Sequence, residues 1–160
     1  MSLFLQAEMI LQLGLAAFLS MVIGLDREGR REPAGLRTHM LVGVGSCLFT
    51  ILSMYAFPGS DTGRIAAQIV TGIGFLGAGT IIQWRGQPHH LTTAASIWAT
   101  AAVGMAVGTG AWFLALGATL IVWFVLVVIR WFSKNGKDHS HPLRGVDETE
   151  SVEPSDDRRA

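Results

Sequence analysis

Five stretches of this chain are apolar for long enough to cross a lipid bilayer, and four of them carry a stripe of polar or small residues. A helix needs about 20 mostly apolar residues to span the hydrocarbon core. Lipid offers no hydrogen bonds to a bare backbone, so such segments fold as helices. The spans are predicted near residues 3–25, 36–57, 65–82, 91–109 and 111–130. The expected fold is all-α: a polytopic membrane bundle of five transmembrane helices over residues 1–132, followed by a disordered tail over 133–160.

Charge placement supports this division. The formal net charge is zero, but that value averages a charge-poor body with a charge-rich end. No carboxylate lies between Asp61 and Asp138, and Arg85 is the only Lys or Arg between Arg64 and Arg130. No basic surface indicates nucleic acid as a partner; the expected partner is the lipid bilayer. Cys47 is the single cysteine, which excludes a disulfide framework and suits a small buried packing residue. The N-terminus lacks a basic leader, carries Glu8 and runs into Asp26-Arg27-Glu28, so it reads as a retained first helix. The tail has few apolar residues. His139 and His141 beside Asp138 are a weak metal-binding possibility there, against a plain solvated tail.

Basic residues set the expected orientation. The loop between spans one and two holds Arg27, Arg30, Arg31 and Arg37, the third loop holds Arg85, and the last span exits into Arg130, Lys134 and Lys137. Positive-inside counting places these on the cytoplasmic side, with the N-terminus outside.

Small and polar residues recur at helical spacing. Glu8, Gln12, Ala16, Ser20 and Gly24 share a face of the first span. His39, Gly43, Ser46, Thr50 and Ser53 do so in the second, and Thr92, Ser96, Thr100, Gly104 and Gly108 in the fourth. Such residues let helices approach closely and allow hydroxyls to bond across the contact. Packing is the main role expected of them; a polar conduction path is the alternative. The third span is glycine-crowded, with Gly72, Gly74, Gly77 and Gly79. Its formal match to a dinucleotide fingerprint fails, because no strand precedes it and no acidic residue follows. Close helix contact is the favoured reading, and a broken helix exposing carbonyls is the other. The fifth span offers Ala111, Ala115 and Thr119 and then turns bulky, as a peripheral helix would. Trp112 and Trp131 suit the two interfacial belts.

Enzymatic chemistry is hard to build from these residues. There is no nucleophile elbow, no His-Glu-x-x-His pair and no central pair of aspartates. His89-His90 lacks the one-face spacing of a zinc pair. Magnesium prefers carboxylate oxygens and gives up water reluctantly. Glu8 and Glu28 stand at opposite ends of one helix, about 30 Å apart at 1.5 Å per residue. No cofactor is expected, and Mg2+ binding stays open. Ionisable groups gather at the membrane edges: Asp26, Arg27, Glu28, Arg37 and His39 with Arg85, His89 and His90 at one, and Glu8, Asp61 and Arg64 at the other. Such charges are costly unless paired or wet, so they invite a functional reading beside the plain one of helix anchoring. Arg30, Arg31 and Glu32 are assigned to anchoring.

Four ordered motifs carry a resemblance. They are Gly24-Leu25-Asp26-Arg27-Glu28, Ala34-Gly35-Leu36-Arg37-Thr38-His39, Arg64 through Gly79, and Leu91-Thr92-Thr93-Ala94-Ala95-Ser96-Ile97-Trp98. Together, over roughly residues 10 to 110, the chain resembles the MgtC/SapB family of bacterial inner-membrane proteins. The resemblance implies a multi-span plasma-membrane protein linked to growth in low magnesium, and in some pathogens to survival inside host cells. It also implies action through other membrane proteins, notably the ATP synthase, in preference to direct transport. The signature positions it supplies are Asp26, Arg27, Glu28, Arg37, Thr38, His39, Arg64, Gln68, Thr92, Thr93 and Ser96. Gly72, Gly74, Gly77, Gly79, Gly104 and Gly108 are assigned to helix packing, with a homo-oligomer as a further possibility. The chain departs from the family at His90, where Gly is usual, and its tail is too short for the soluble C-terminal domain of longer relatives. The favoured reading is a non-enzymatic modulator presenting Asp26, Arg27, Glu28 and Arg37 to a partner or ion. An ion transporter and a structural assembly element are the rivals.

Overall fold

The computed structural model describes residues 2–57, 61–84 and 87–129. The expected tail and its boundary at residue 133 lie outside the described residues, as do Trp131, His139 and His141. The chain is almost entirely helical: α1 Leu3–Gly29, α2 Leu36–Tyr55, α3 Thr62–Gly79, α4 Leu91–Gly108 and α5 Trp112–Phe124, with a π-helical turn Val125–Ile129 continuing α5. One departure from an all-α chain is a short antiparallel pair, Ile82–Trp84 with Gln87–His89, placing Ile82 opposite His89. It occupies the loop between α3 and α4, where no strand was expected.

Three helices, α1, α2 and α4, are long and apolar enough to cross a membrane. In α3, Arg64, Gln68 and the glycines dilute the apolar content, and among the described residues the apolar helix containing α5 covers Trp112–Val128. Outward surfaces are greasy, as lipid requires: Phe4 is 83% exposed, Phe75 80% and Phe113 92%.

Local chemistry sets the helix ends. Ser2 caps α1 by accepting the Leu5 amide, and Asp61 caps α3 by accepting the Gly63 amide at 2.9 Å. The α1 C-terminus closes with Arg31 at φ 55°, and the Glu32 amide donates to the Arg27 carbonyl at 3.2 Å. That bond, six residues round the turn, is the hydrogen bond of a left-handed helix stop, which glycine usually supplies. No side chain of its own caps α2; Glu28 reaches across instead, and its Oε2 accepts the Leu36 amide at 2.9 Å. A Cβ at Gly35 would collide with that carboxylate, so the cap requires glycine there.

The helix α4 is central, packing on α1, α2, α3 and α5, while α2 packs on α1 and α4. The stripes expected to face inward do so. Gln12, Ala16, Ser20 and Gly24 of α1 are buried, as are His39, Gly43, Ser46, Thr50 and Ser53 of α2. In α4 the buried series is Thr93, Ser96, Thr100, Gly104 and Gly108; Thr92 is exposed, so the stripe begins one residue later than expected. The closest crossing joins α2 to α4. A Cβ on Gly104 would strike the Gly43 carbonyl oxygen, and one on Gly108 would lie 2.8 Å from the Cys47 carbonyl oxygen. Apolar contacts from Leu19, Ile23, Cys47, Ile51, Val103 and Val107 fill the space around this crossing.

The hydroxyls divide: those of Ser53, Thr93 and Ser96 bond across helix contacts, as expected, and others do not. Thr50 Oγ1 donates to the Ser46 carbonyl, Thr100 to Ser96 and Thr119 to Ala115, each at 2.8 Å. These threonines satisfy themselves on their own helix and do not bond across the contact. The glycines of α3 also divide. Gly77 meets Ala94 of α4 at ordinary contact distance, whereas Gly72, Gly74 and Gly79 have open space where a Cβ would sit. Their assignment to packing within the chain is therefore corrected. The α3 helix leans on α4 through Gly77 and buries only that residue and Ile69.

These contacts separate two kinds of glycine. Gly104→Ala is expected to destabilise the bundle by about 1–3 kcal/mol, since a methyl group must force two backbones apart. Gly72→Ala is expected to be neutral or to stabilise by up to about 1 kcal/mol, through helix propensity alone. Thermal unfolding in a mild detergent distinguishes them, and equal effects would refute the packing assignment.

Candidate functional site

The end of the bundle where α1 stops and α2 and α4 begin gathers most of the signature residues. Arg27 ends α1 pointing inward, with its side chain only 2% exposed. A buried charge needs partners that replace its hydration. Its Nη2 donates to Thr93 Oγ1 of α4 at 3.0 Å and lies 3.3 Å from Glu32 Oε1. Thr93 Oγ1 donates in turn to Glu32 Oε2 at 3.1 Å. The threonine hydroxyl, one donor with acceptor lone pairs, thus sits between cation and anion and uses both functions.

One turn further into the bundle, His39 joins α2 to α4. Its Nδ1 lies 2.8 Å from the Gly35 carbonyl, which can only accept, so Nδ1 carries a proton. Its Nε2 lies 3.0 Å from Ser96 Oγ, and the same hydroxyl lies 2.8 Å from the Thr93 carbonyl. Ser96 has one proton for these two acceptors. With a neutral ring it donates to one of them; with both ring nitrogens protonated, His39 donates to Ser96 and Ser96 to Thr93. Arg27, Glu32, Thr93, Ser96, His39 and Gly35 therefore form one connected set tying three helices together.

The remaining signature residues are placed differently. Asp26 is paired with Arg30, whose Nε lies 2.8 Å from Oδ1. Glu28 is exposed and caps α2. Arg37, Thr38 and Thr92 are exposed at the same end. Arg64 and Gln68 belong to the opposite end: α3 starts beside the end of α2, where Ser53 Oγ donates to the Thr62 carbonyl at 3.0 Å. Gln68 lines an apolar groove of about 580 Å³ between α2 and α3, together with Leu41, Ser46, Phe49, Ile65 and Gly72. The signature set therefore does not converge on one site. Arg27 in particular is an internal residue, which corrects the expectation that it is presented to a partner.

One residue of the connected set was read differently from the sequence, and His90, noted there as a departure from the family, lies beside it. Glu32 was assigned to anchoring, yet it is the anion facing Arg27 and Thr93. His90 stands before α4 at φ 66°, the left-handed conformation that glycine adopts without penalty, and its Nδ1 lies 3.7 Å from Glu32 Oε2. The departure from glycine at this position was the available signal. Among the described residues, no group of three or more His, Cys, Asp or Glu side chains is placed to hold a metal ion.

Thr93→Val should cost about 1–3 kcal/mol, because it removes the hydroxyl shared by a buried cation and its carboxylate. Thr92→Val, one residue away and exposed, should stay within about 0.5 kcal/mol of the parent. Unfolding of the two variants side by side in detergent checks the assignment, which fails if they behave alike.

Comparison with known proteins places the chain in a family. The MgtC family matches residues 13–135. The putative magnesium transporter YhiD of Escherichia coli K12 is 47% identical over 130 residues, covering 76% of this chain and 60% of that protein. Protein MgtC of Salmonella typhimurium LT2 is 45% identical over 121 residues, covering 76% and 52% respectively. Protein SapB of Bacillus subtilis 168 is 36% identical over 140 residues, covering 82% and 60%. The chain thus spans roughly half to three-fifths of these relatives' length. No solved structure matches. With the family matching from the first span into the last, this helical membrane protein belongs to the MgtC family.

Proposed function

We propose that this protein is a five-span bacterial inner-membrane protein that acts in adaptation to low magnesium by modulating a membrane partner, and that it is not an enzyme. Its N-terminus lies outside, and the end bearing Arg27 and Glu32 faces the cytoplasm, as the arginine-rich first loop favours. The observation that carries this reading is the internal use of the polar groups. Arg27, Glu32, Thr93, Ser96 and His39 bond to one another, and the threonines deeper in the spans bond to their own helices. A path for a hydrated divalent ion would need oxygen ligands left available along its length; among the described residues the buried side-chain oxygens without a hydrogen-bond partner are Gln12 Oε1 and Ser20 Oγ, both on α1. The groups left exposed at this end are Glu28, Arg31, Arg37, Thr38 and Thr92, and these are the ones a partner would meet, with Asp26 behind them in its pair with Arg30. An ATP synthase is one such partner that the family resemblance suggests.

The rival reading, transport of magnesium or another ion, draws on the name of the YhiD relative, a putative magnesium transporter. The third reading, an assembly element using Gly104 and Gly108 for contacts between copies, loses support because both glycines are engaged inside the chain.

Two measurements decide. The protein reconstituted into vesicles containing a magnesium-sensitive dye is expected to give no protein-dependent flux, while the same protein restores growth of a deletion strain in low magnesium. Asp26→Ala, Glu28→Ala and Arg37→Ala variants, expressed to parental levels, should impair that growth. Protein-dependent flux would support the rival, and unimpaired growth of all three variants would remove the site assignment.

A further inference from the structure

From Asp26 to Arg37 the end of α1, the joining loop and the start of α2 carry seven charged residues, and two of the three acids pair with arginines. Asp26 pairs with Arg30 and Glu32 with Arg27 and Thr93, while the exposed Glu28 accepts the Leu36 amide and keeps its charge. Arg31 and Arg37 remain, both exposed, and neither makes an ion pair among the described residues. With Arg31 and Arg37 against the exposed Glu28, the excess at this surface is one positive charge.

The position of Arg37 is informative. It stands four residues before Leu41 on the same face of α2, and that face continues through Leu48 and Leu52. These leucines are 73%, 41% and 40% exposed and turn toward lipid. Arg37 is thus the polar end of a lipid-facing stripe, at the depth where acyl chains give way to headgroups.

Arg31 supplies a second, independent observation. Its backbone holds φ 55°, a conformation that a side chain resists and glycine does not. The turn itself is closed by backbone bonds alone, Arg31 N–H to the Glu28 carbonyl and Glu32 N–H to the Arg27 carbonyl. Nothing within the described chain uses the Arg31 guanidinium to make that turn. The Arg31 side chain is exposed.

We propose that Arg31 and Arg37 form a binding surface for anionic phospholipid headgroups, with each guanidinium donating to a lipid phosphate. Guanidinium and phosphate match in charge and in paired hydrogen-bond geometry. The membrane supplies such a phosphate at the depth where Arg37 stands. The proposal rests on α2 crossing the bilayer; it depends neither on which face is cytoplasmic nor on the role in magnesium adaptation.

The test uses the full chain in a neutral detergent, with thermal midpoint as the readout. Added phosphatidylglycerol is expected to raise the midpoint where equal phosphatidylcholine does not, and added salt should shrink the difference. Arg31→Gln and Arg37→Gln should each weaken the apparent phosphatidylglycerol affinity on the order of fivefold, and the double variant should abolish its preference over phosphatidylcholine. Arg31→Gly is the folding control: its midpoint without lipid should equal or exceed that of the parent, because strain is relieved, while its response to phosphatidylglycerol falls as for Arg31→Gln. Equal responses to the two lipids would overturn the proposal, as would a double variant that keeps the parental response. So would inorganic phosphate reproducing the full shift, since the ligand would then be the free anion. A low-magnesium growth defect in these variants is not required, so failure here leaves the modulator reading to stand or fall on its own tests.

Discussion

The contact on which the rest of the bundle depends is the crossing of α2 and α4, where backbone meets backbone at Gly43 and Gly104 and again at Cys47 and Gly108. Apolar solvent gives membrane helices no hydrophobic reason to associate, so dispersion and close fit must supply it. Two glycine positions on α4 bring the axes near enough for short side chains to touch. The imidazole of His39 reaches Ser96, Cys47 and Val107 enter one core, and α1 lies against both helices. Side chains larger than hydrogen at these two points would hold the helices apart and lengthen every polar distance at the α1 end of the bundle.

That close fit makes a buried guanidinium tolerable. Arg27 is nearly inaccessible and cannot lose its charge at ordinary pH. Its position is stable only because Thr93 and Glu32 meet it, and Glu32 can do so only because the chain reverses through the left-handed Arg31. The strained backbone at Arg31 and at His90 brackets the carboxylate that the cation needs. Strain of this kind persists where surrounding contacts over-determine it.

Much of the architecture was legible in the sequence, because the bilayer enforces a simple rule on length and polarity. The helices at 3–29, 36–55, 62–79 and 91–108 fall close to the apolar stretches, and the stripes on α1 and α2 point inward as their spacing required. Periodicity gives a face but not its partner. It placed Thr92 on the α4 stripe where Thr93 is the buried residue, and it did not show that threonine hydroxyls would bond to their own helices. Composition marked the α3 glycines as packing residues, but only Gly77 meets a neighbouring helix. The site was less legible still. Asp26, Arg27 and Glu28 are adjacent in sequence yet play three unrelated parts, because successive helix positions point about 100° apart. Glu32 was hidden because its value comes from a turn that no residue type announces.

The separation between Arg27 and Thr93, 66 residues, has a consequence for how the chain is built. As the polypeptide emerges, the first helix reaches the membrane with its terminal guanidinium and the nearby Glu32 already available to each other. The threonine that completes the cage is made only after two further helices. Until then the arginine can bend its long stem toward the polar boundary and stay wet. Thr50, Thr100 and Thr119 bond to their own helices, whereas Thr93 can meet Arg27 only once the fourth helix is in place.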